Sequence, residues 1–223
     1  MIPRTEAELF QRARALAGRT LGSIAAEHGS VPPVELVKAK GWAGQLLERA
    51  LGASAASRAE PDFQHLGVEL KSLPVDARGR PRESTFVCTI ALSEIGDVEW
   101  ESSRVWRKLR RVLWLPIEAD RRLLPAERRV GEPLLWSPSA EEKSALRFDW
   151  EELSGLIGRG AVEAITGHLG KWLQVRPKAA NGQARRRALD ADGVGFATLP
   201  RGFYLRAAFT ARLLASHYAI GRP

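Results

Sequence analysis

The chain has 223 residues, 44% of them hydrophobic, and a formal net charge of +8 from 34 Lys and Arg against 26 Asp and Glu. That apolar content supports one substantial core, so the length suggests one domain or a domain of two lobes. The basic excess favours a polyanionic partner, most simply nucleic acid, with an anionic membrane surface as the plainer alternative. The single cysteine, Cys88, excludes an intrachain disulfide and a cysteine-rich zinc site. No apolar run is long enough to span a bilayer, and the first residues lack the apolar stretch of a signal peptide, so a cytoplasmic location is expected.

Thr5-x-x-Glu8 is a capping box, and it opens a helix whose core face is Leu9, Phe10, Ala13 and Leu16. Residues 20–29 read as a short second helix, and residues 41–51 as a third with Trp42, Leu46, Leu47, Ala50 and Leu51 apolar. Strands are expected at 67–73, 85–92, 111–117 and 133–136, with a turn at 76–81 between the first two. These apparent hairpins predict a mixed or antiparallel sheet. Ser139-x-x-Glu142 is a second capping box, starting a helix to about Ile157. A short helix at 161–168, strands at 171–176 and 201–205, and a closing helix at 210–218 complete the pattern. Helices around a central sheet make an α/β or α+β fold. Cys88 falls in an apolar strand and reads as a core residue.

The most informative stretch is Asp62-Phe-Gln-His-Leu-Gly-Val-Glu69-Leu-Lys71. On a strand, side chains alternate faces, so Glu69 and Lys71 project together while Val68 and Leu70 face the core. Asp62, brought in by the preceding turn, would meet Glu69 over one hard cation, with Lys71 beside the attacking water. Two oxygen ligands, a divalent ion and an ammonium are the minimal kit for metal-assisted phosphodiester hydrolysis. The triplet alone also fits a solvated strand face. Glu48 lies among apolar helix residues; it is either a third acid of this cluster or a carboxylate paired with Arg49 or Arg58.

Three cationic segments stand out. Residues 103–112 place Arg104, Arg107, Lys108, Arg110 and Arg111 around Trp106, either for phosphate oxygens or as a solvated helix face. Arg176-Pro177-Lys178 closes a strand with two cations around a proline, and Arg can read guanine bidentately in the major groove. Arg185 to Arg187 read as a flexible surface loop. The four histidines show no ligand spacing, and no phosphate-binding glycine loop is present.

Taken together these residues resemble the MutH family of methyl-directed DNA mismatch repair endonucleases. The resemblance runs from about Leu21 to Leu214. It is carried by Lys40-Gly-Trp-Ala-Gly, Leu46-Leu-Glu-Arg-Ala-Leu-Gly, Gly67-Val-Glu-Leu-Lys71, Thr85-Phe-Val-Cys, Leu134-Leu-Trp-Ser-Pro138, Asp149-Trp-Glu-Glu-Leu, Arg176-Pro-Lys-Ala-Ala-Asn181 and Leu199-Pro-Arg-Gly-Phe-Tyr-Leu205, among other segments in the same order.

The resemblance implies a restriction-endonuclease-like fold, with a mixed sheet flanked by helices and two lobes around a DNA cleft. It implies a single endonuclease domain over 1–223, with a catalytic lobe at roughly 20–120 and a DNA-reading lobe at roughly 121–223 plus the N-terminal helix. It further implies Mg²⁺-dependent nicking of the unmethylated strand at hemimethylated or unmethylated GATC sites in double-stranded DNA, activation by MutL and MutS, and action as a monomer away from membranes. Matched residue by residue, Asp62 and Glu69 are the metal ligands, Glu48 the additional helix-borne acid and Lys71 the active-site lysine. Lys40 and Lys108 fall at DNA-contacting positions, Arg176, Pro177 and Lys178 at the base-reading loop, and Tyr204 at the residue that senses adenine methylation. Lys71 would act as base, as orienter of the water or as charge neutraliser. Two alternatives are a GATC-specific restriction-type enzyme that cuts both strands and a DNA-binding protein without catalysis. The arginine run and residues 219–223 depart from the family pattern.

Overall fold

A computed structural model describes residues 1–35, 41–54, 59–178 and 183–218. They form two compact units, each assembled from separate stretches of chain. The first comprises Met1–Glu83, Arg110–Ser137 and Ala211–Pro223; the second comprises Ser84–Leu109 and Pro138–Thr210. Among the described residues no helix is long and apolar enough to cross a membrane.

The first unit packs helices α1 (Glu6–Leu16), α2 (Leu21–Glu27) and α3 (Trp42–Leu51) with strands β1 (Glu69–Val75), β3 (Val112–Glu118) and β4 (Leu134–Trp136), in the sheet order β1-β3-β4. The predicted capping box starts α1: Thr5 Oγ1 accepts from the Glu8 amide at 3.1 Å. Leu9, Ala13 and Leu16 then fall on one face and are buried, while Phe10 only packs partly against the same cluster. β3 is the central strand, and every residue from Val112 to Ile117 is buried. A strand covered on both faces needs such an unbroken apolar run. β1 runs parallel to β3, with Glu69 opposite Val112 and Lys71 opposite Trp114, and β4 is antiparallel to β3.

That pairing corrects the expected hairpin. The turn at 76–81 exists, with Gly79 at φ 72° and a bridge between Val75 and Pro81. The chain then leaves instead of extending the ladder. β2 (Thr85–Thr89) joins another sheet, and β1 finds its neighbour only after residues 76–111 have passed. A turn signal fixes where a chain reverses; the ladder forms where apolar faces match.

The second unit carries the antiparallel sheet β2-β8-β5, with β5 at Leu173–Pro177 and β8 at Arg201–Leu205, and a separate ribbon of β6 (Arg186–Leu189) and β7 (Gly195–Thr198). Helices α4 (Arg104–Leu109) and α5 (Ala140–Gly158) belong to it, and α6 (Ala207–Tyr218) follows β8. The reciprocal capping box of Ser139 and Glu142 starts α5. Trp100 packs between Trp106 and Trp150, at centroid distances of 5.4 and 5.7 Å.

Two expectations fail in this unit. The helix expected at 161–168 is a single 3-10 turn, Val162–Ala164. The loop after it is held by side chains instead. Asp149 accepts the amides of Lys171, Trp172 and Leu173 at 2.8, 2.6 and 2.8 Å, and Arg206 donates to the carbonyls of Gly167, Leu169 and Gly170 at 2.7, 2.9 and 3.0 Å. Satisfied this way, the backbone has no need of helical bonds. The arginine run was expected to be a flexible loop, yet Arg186 and Arg187 begin β6, paired with Thr198 and Ala197.

Candidate active site and nucleic-acid interface

The acidic motif lies in the first unit. Phe63 and Val68 form an antiparallel bridge, and Gly67 closes the intervening turn at φ 65°. In that register Asp62 falls opposite Glu69, so both side chains leave the same side of the backbone. Asp62 Oδ2 accepts the Leu70 amide at 2.9 Å, which fixes its carboxylate against β1. The Lys71 ammonium donates to Glu69 Oε1 at 2.5 Å. Asp62 and Glu69 are both buried, Glu69 at 2% exposure, while Val68 and Leu70 sit in the hydrophobic core cluster. A buried carboxylate is costly unless paired, and Lys71 supplies the pair.

Glu48 stands on α3, half-buried. Gly44 shares its helix face at i, i+4, and a Cβ there would lie 3.7 Å from Ser72 Oγ of β1. Glu48 is therefore on the face of α3 turned toward the strand that carries Glu69 and Lys71. Among the described residues no three His, Cys, Asp or Glu side chains form a ready-made metal cage. Two hard carboxylates still suit a hard divalent cation that keeps most of its waters and takes other ligands from a substrate phosphate.

A second cluster lies in the second unit. Tyr204 of β8 is opposite Phe86 of β2 on one side and Gln174 of β5 on the other. The rings of Phe86 and Tyr204 meet edge to face at 5.3 Å. The Arg176 guanidinium lies 5.7 Å from the Tyr204 centroid, and the Lys178 ammonium 2.9 Å from that of Phe86. Arg176 and Pro177 are the last two residues of β5, as expected of a strand they close, and Lys178 follows them; all three are exposed. Burial raises the Tyr204 phenol above its ordinary pKa, against an opposing pull from the Arg176 charge, so it stays protonated and neutral near pH 7. Two cations over two aromatic rings offer both charge and stacking surface to a nucleic acid.

Sequence reasoning missed the parts that build this surface. Phe86 was read only as strand. Gly202 lies on β8 between Arg176 and Thr89; a Cβ there would come 3.0 Å from the Phe86 ring and 3.1 Å from the Cys88 carbonyl. A glycine inside a strand was the available signal. Gln174, buried, donates to Ser84 Oγ at 2.7 Å. Glu163 bonds both Thr198, at the end of β7, and Arg201, at the start of β8, the latter at 2.9 Å.

The remaining sequence candidates are placed less simply. Lys40 lies outside the described residues. Lys108, on α4, is buried at 7% exposure. Of its neighbours, Arg104 and Arg110 are exposed, whereas Arg111 is committed to Glu6 at 3.0 and 2.5 Å.

Carboxylates paired with a lysine in one unit, and cations over aromatic rings in the other, are the chemical parts of an endonuclease that acts on DNA. The family described as "DNA mismatch repair enzyme MutH" matches residues 51–149. The "DNA mismatch repair protein MutH" of Salmonella paratyphi B, and those of Salmonella newport and Salmonella heidelberg, are each 55% identical over 221 residues, covering 99% of this chain and 96% of theirs. The chain belongs to the MutH family, and it is a metal-dependent endonuclease of DNA mismatch repair.

Proposed function

We propose that this chain nicks the unmethylated strand at hemimethylated or unmethylated GATC sites, using Mg²⁺ held by Asp62 and Glu69 with help from Glu48. The observation that carries the reading is the Glu69–Lys71 pair at 2.5 Å beside an Asp62 fixed by the Leu70 amide. A bound divalent cation supplies a lowered pKa for the attacking water and offsets charge growing on the phosphate. Glu69 would present its oxygens from β1, and Asp62 from the turn before it, where the Leu70 amide holds its carboxylate. Beside such a cation Lys71 would act as base toward the water, as its orienter or as charge neutraliser for the phosphate. One such cluster among the described residues, acting in a monomer, cuts one strand.

Base reading falls to Arg176, Pro177 and Lys178, and Tyr204 packs at the adenine N6 position, where a methyl group would meet its ring. Lys40 and Lys108 serve the DNA backbone. Membership of a mismatch-repair family supports activation by MutL and MutS and a cytoplasmic site of action. The test is a nicking assay on closed circular plasmid with one GATC site, unmethylated, hemimethylated or fully methylated, with and without MutL. Open circles from the first two substrates, cut on the unmethylated strand and lost in Glu69→Ala, are expected. Linear product in one step would point to a restriction-type enzyme, and no product with Mg²⁺ under any of these conditions would overturn the reading.

A further inference from the structure

The ribbon β6–β7 stands apart from both clusters of candidate site residues in the sheet pairing. Its sequence feature, three consecutive arginines, departs from the family pattern, and on the basis of charge alone it would be a solvated loop. It is instead an ordered ladder from Arg186 opposite Thr198 to Leu189 opposite Gly195. Ala188 of β6 is buried, while Arg185, Arg186 and Arg187 are all exposed. Successive strand residues point to opposite faces, so Arg186 and Arg187 leave the ribbon on opposite sides, Arg186 at the exposed end of the face on which Ala188 is buried.

Some arginines of the protein are committed to carboxylates, and these two are not. Arg111, Arg147 and Arg201 each meet a carboxylate. Among the described residues neither Arg186 nor Arg187 has an ion-pair partner. The acids of the ribbon lie at its far tip, where Asp190 Oδ1 accepts the amides of Asp192 and Val194 and so builds the turn. The cations lie at the other end. Arg187 is held over Gly195, where a Cβ would fall 2.5 Å from its Nε.

That end adjoins the Arg176–Tyr204 surface in the same unit. The Lys178 amide donates to the Pro200 carbonyl at 2.7 Å. Thr198, the partner of Arg186, is two residues away from Pro200, about 7 Å of extended chain. Glu163 bonds Thr198 and Arg201 together and fixes that connection.

We propose that the β6–β7 ribbon is a second DNA-contacting element, which extends the footprint by binding backbone phosphates through Arg186 and Arg187 without reading bases. The inference rests on the DNA-acting function proposed above and adds a distinct subsite to it. Unpartnered guanidinium groups on an ordered strand meet phosphate oxygens with little loss of backbone freedom and no ion pair to break, and each such contact releases counterions.

The test is equilibrium binding of the full chain to two duplexes of about 30 base pairs, one with a GATC site and one with that site scrambled, across a KCl series with Ca²⁺ in place of Mg²⁺. The double variant Arg186→Ala/Arg187→Ala should bind both duplexes more weakly by the same factor, with the slope of log affinity against log salt reduced by about two. Arg186→Lys/Arg187→Lys should retain the slope, because phosphate contact needs charge more than shape. An unchanged slope in the alanine variant, or a loss confined to the GATC duplex, would overturn the proposal. Absence of any GATC preference in the unmodified chain would instead count against the base-reading function, while the slope comparison still decides the ribbon.

Discussion

Lys71 and Glu69, two residues apart on β1, form a 2.5 Å ion pair whose side chains are 12% and 3% exposed. Strand geometry alone puts them on one face; burial makes each dependent on the other. Lys71→Ala should therefore reduce nicking at least a hundredfold while leaving DNA affinity nearly intact, as read by parallel nicking and anisotropy assays. It should also cost about 3–5 kcal/mol, since the Glu69 carboxylate loses its ammonium. Mg²⁺ should raise the melting temperature of this variant more than that of the unmodified protein, by supplying the missing positive charge. Equal Mg²⁺ shifts in the two proteins would argue against metal ligation by Glu69.

Asp149 holds the start of β5 through three consecutive backbone amides and is itself only 2% exposed. Asn offers one acceptor oxygen and an NH₂ that would face amide donors. Asp149→Asn should destabilise the protein by about 2–4 kcal/mol in urea unfolding. Because β5 ends in Arg176 and Pro177, GATC preference should weaken as well. A variant with unaltered stability would show that the three bonds are replaceable.

Gly202 leaves room for the Phe86 ring against β8. In Gly202→Ala the new Cβ would sit 3.0 Å from that ring and 3.1 Å from the Cys88 carbonyl. The ring must turn, and the edge-to-face contact with Tyr204 must open. We expect discrimination between methylated and unmethylated GATC to fall several-fold, with metal affinity unchanged, measured by competition nicking and Mg²⁺ titration. Undiminished discrimination would separate Phe86 packing from the role of Tyr204.

Glu163 carries a lowered pKa, because Thr198 and then Arg201 favour its ionised form over an opposing burial effect. A carboxyl with a depressed folded-state pKa adds stability that is fully present above its ordinary value near 4.5 and disappears as the pH falls through the lowered value. Glu163→Gln should flatten that acid limb by lowering the neutral-pH plateau, and both changes should be small because Glu163 is largely exposed. Thermal melts from pH 3 to 7 measure it; identical acid limbs would remove the carboxylate from the account.

Tyr218 behaves in the opposite sense. Burial holds its phenol protonated up to about 12, and its hydroxyl donates to the Glu132 carbonyl at 2.5 Å. A raised folded-state pKa gives stability that is present below the ordinary value near 10 and is lost as the pH climbs through 12. Tyr218→Phe should remove this alkaline decline, as followed by fluorescence-monitored unfolding between pH 9 and 12.

Local chemistry was legible in the sequence by itself. The capping boxes at Thr5 and Ser139, the apolar face of α1 and the shared face of Glu69 and Lys71 follow from short-range periodicity and hydrogen bonding, which need only neighbouring residues. The resemblance carried by the ordered motifs likewise pointed to the family before any coordinate. Tertiary structure decided what depends on distant partners. β1 pairs with β3 rather than with β2, because the match of buried faces outweighs a nearby turn signal. Arg186 and Arg187 became an armed strand because Thr198 and Ala197, not their own charge, supply the ladder. The same holds for Phe86, Gly202 and Asp149. Each acts on a group remote in sequence, and packing and long-range hydrogen bonds have no period along a chain from which they could be read.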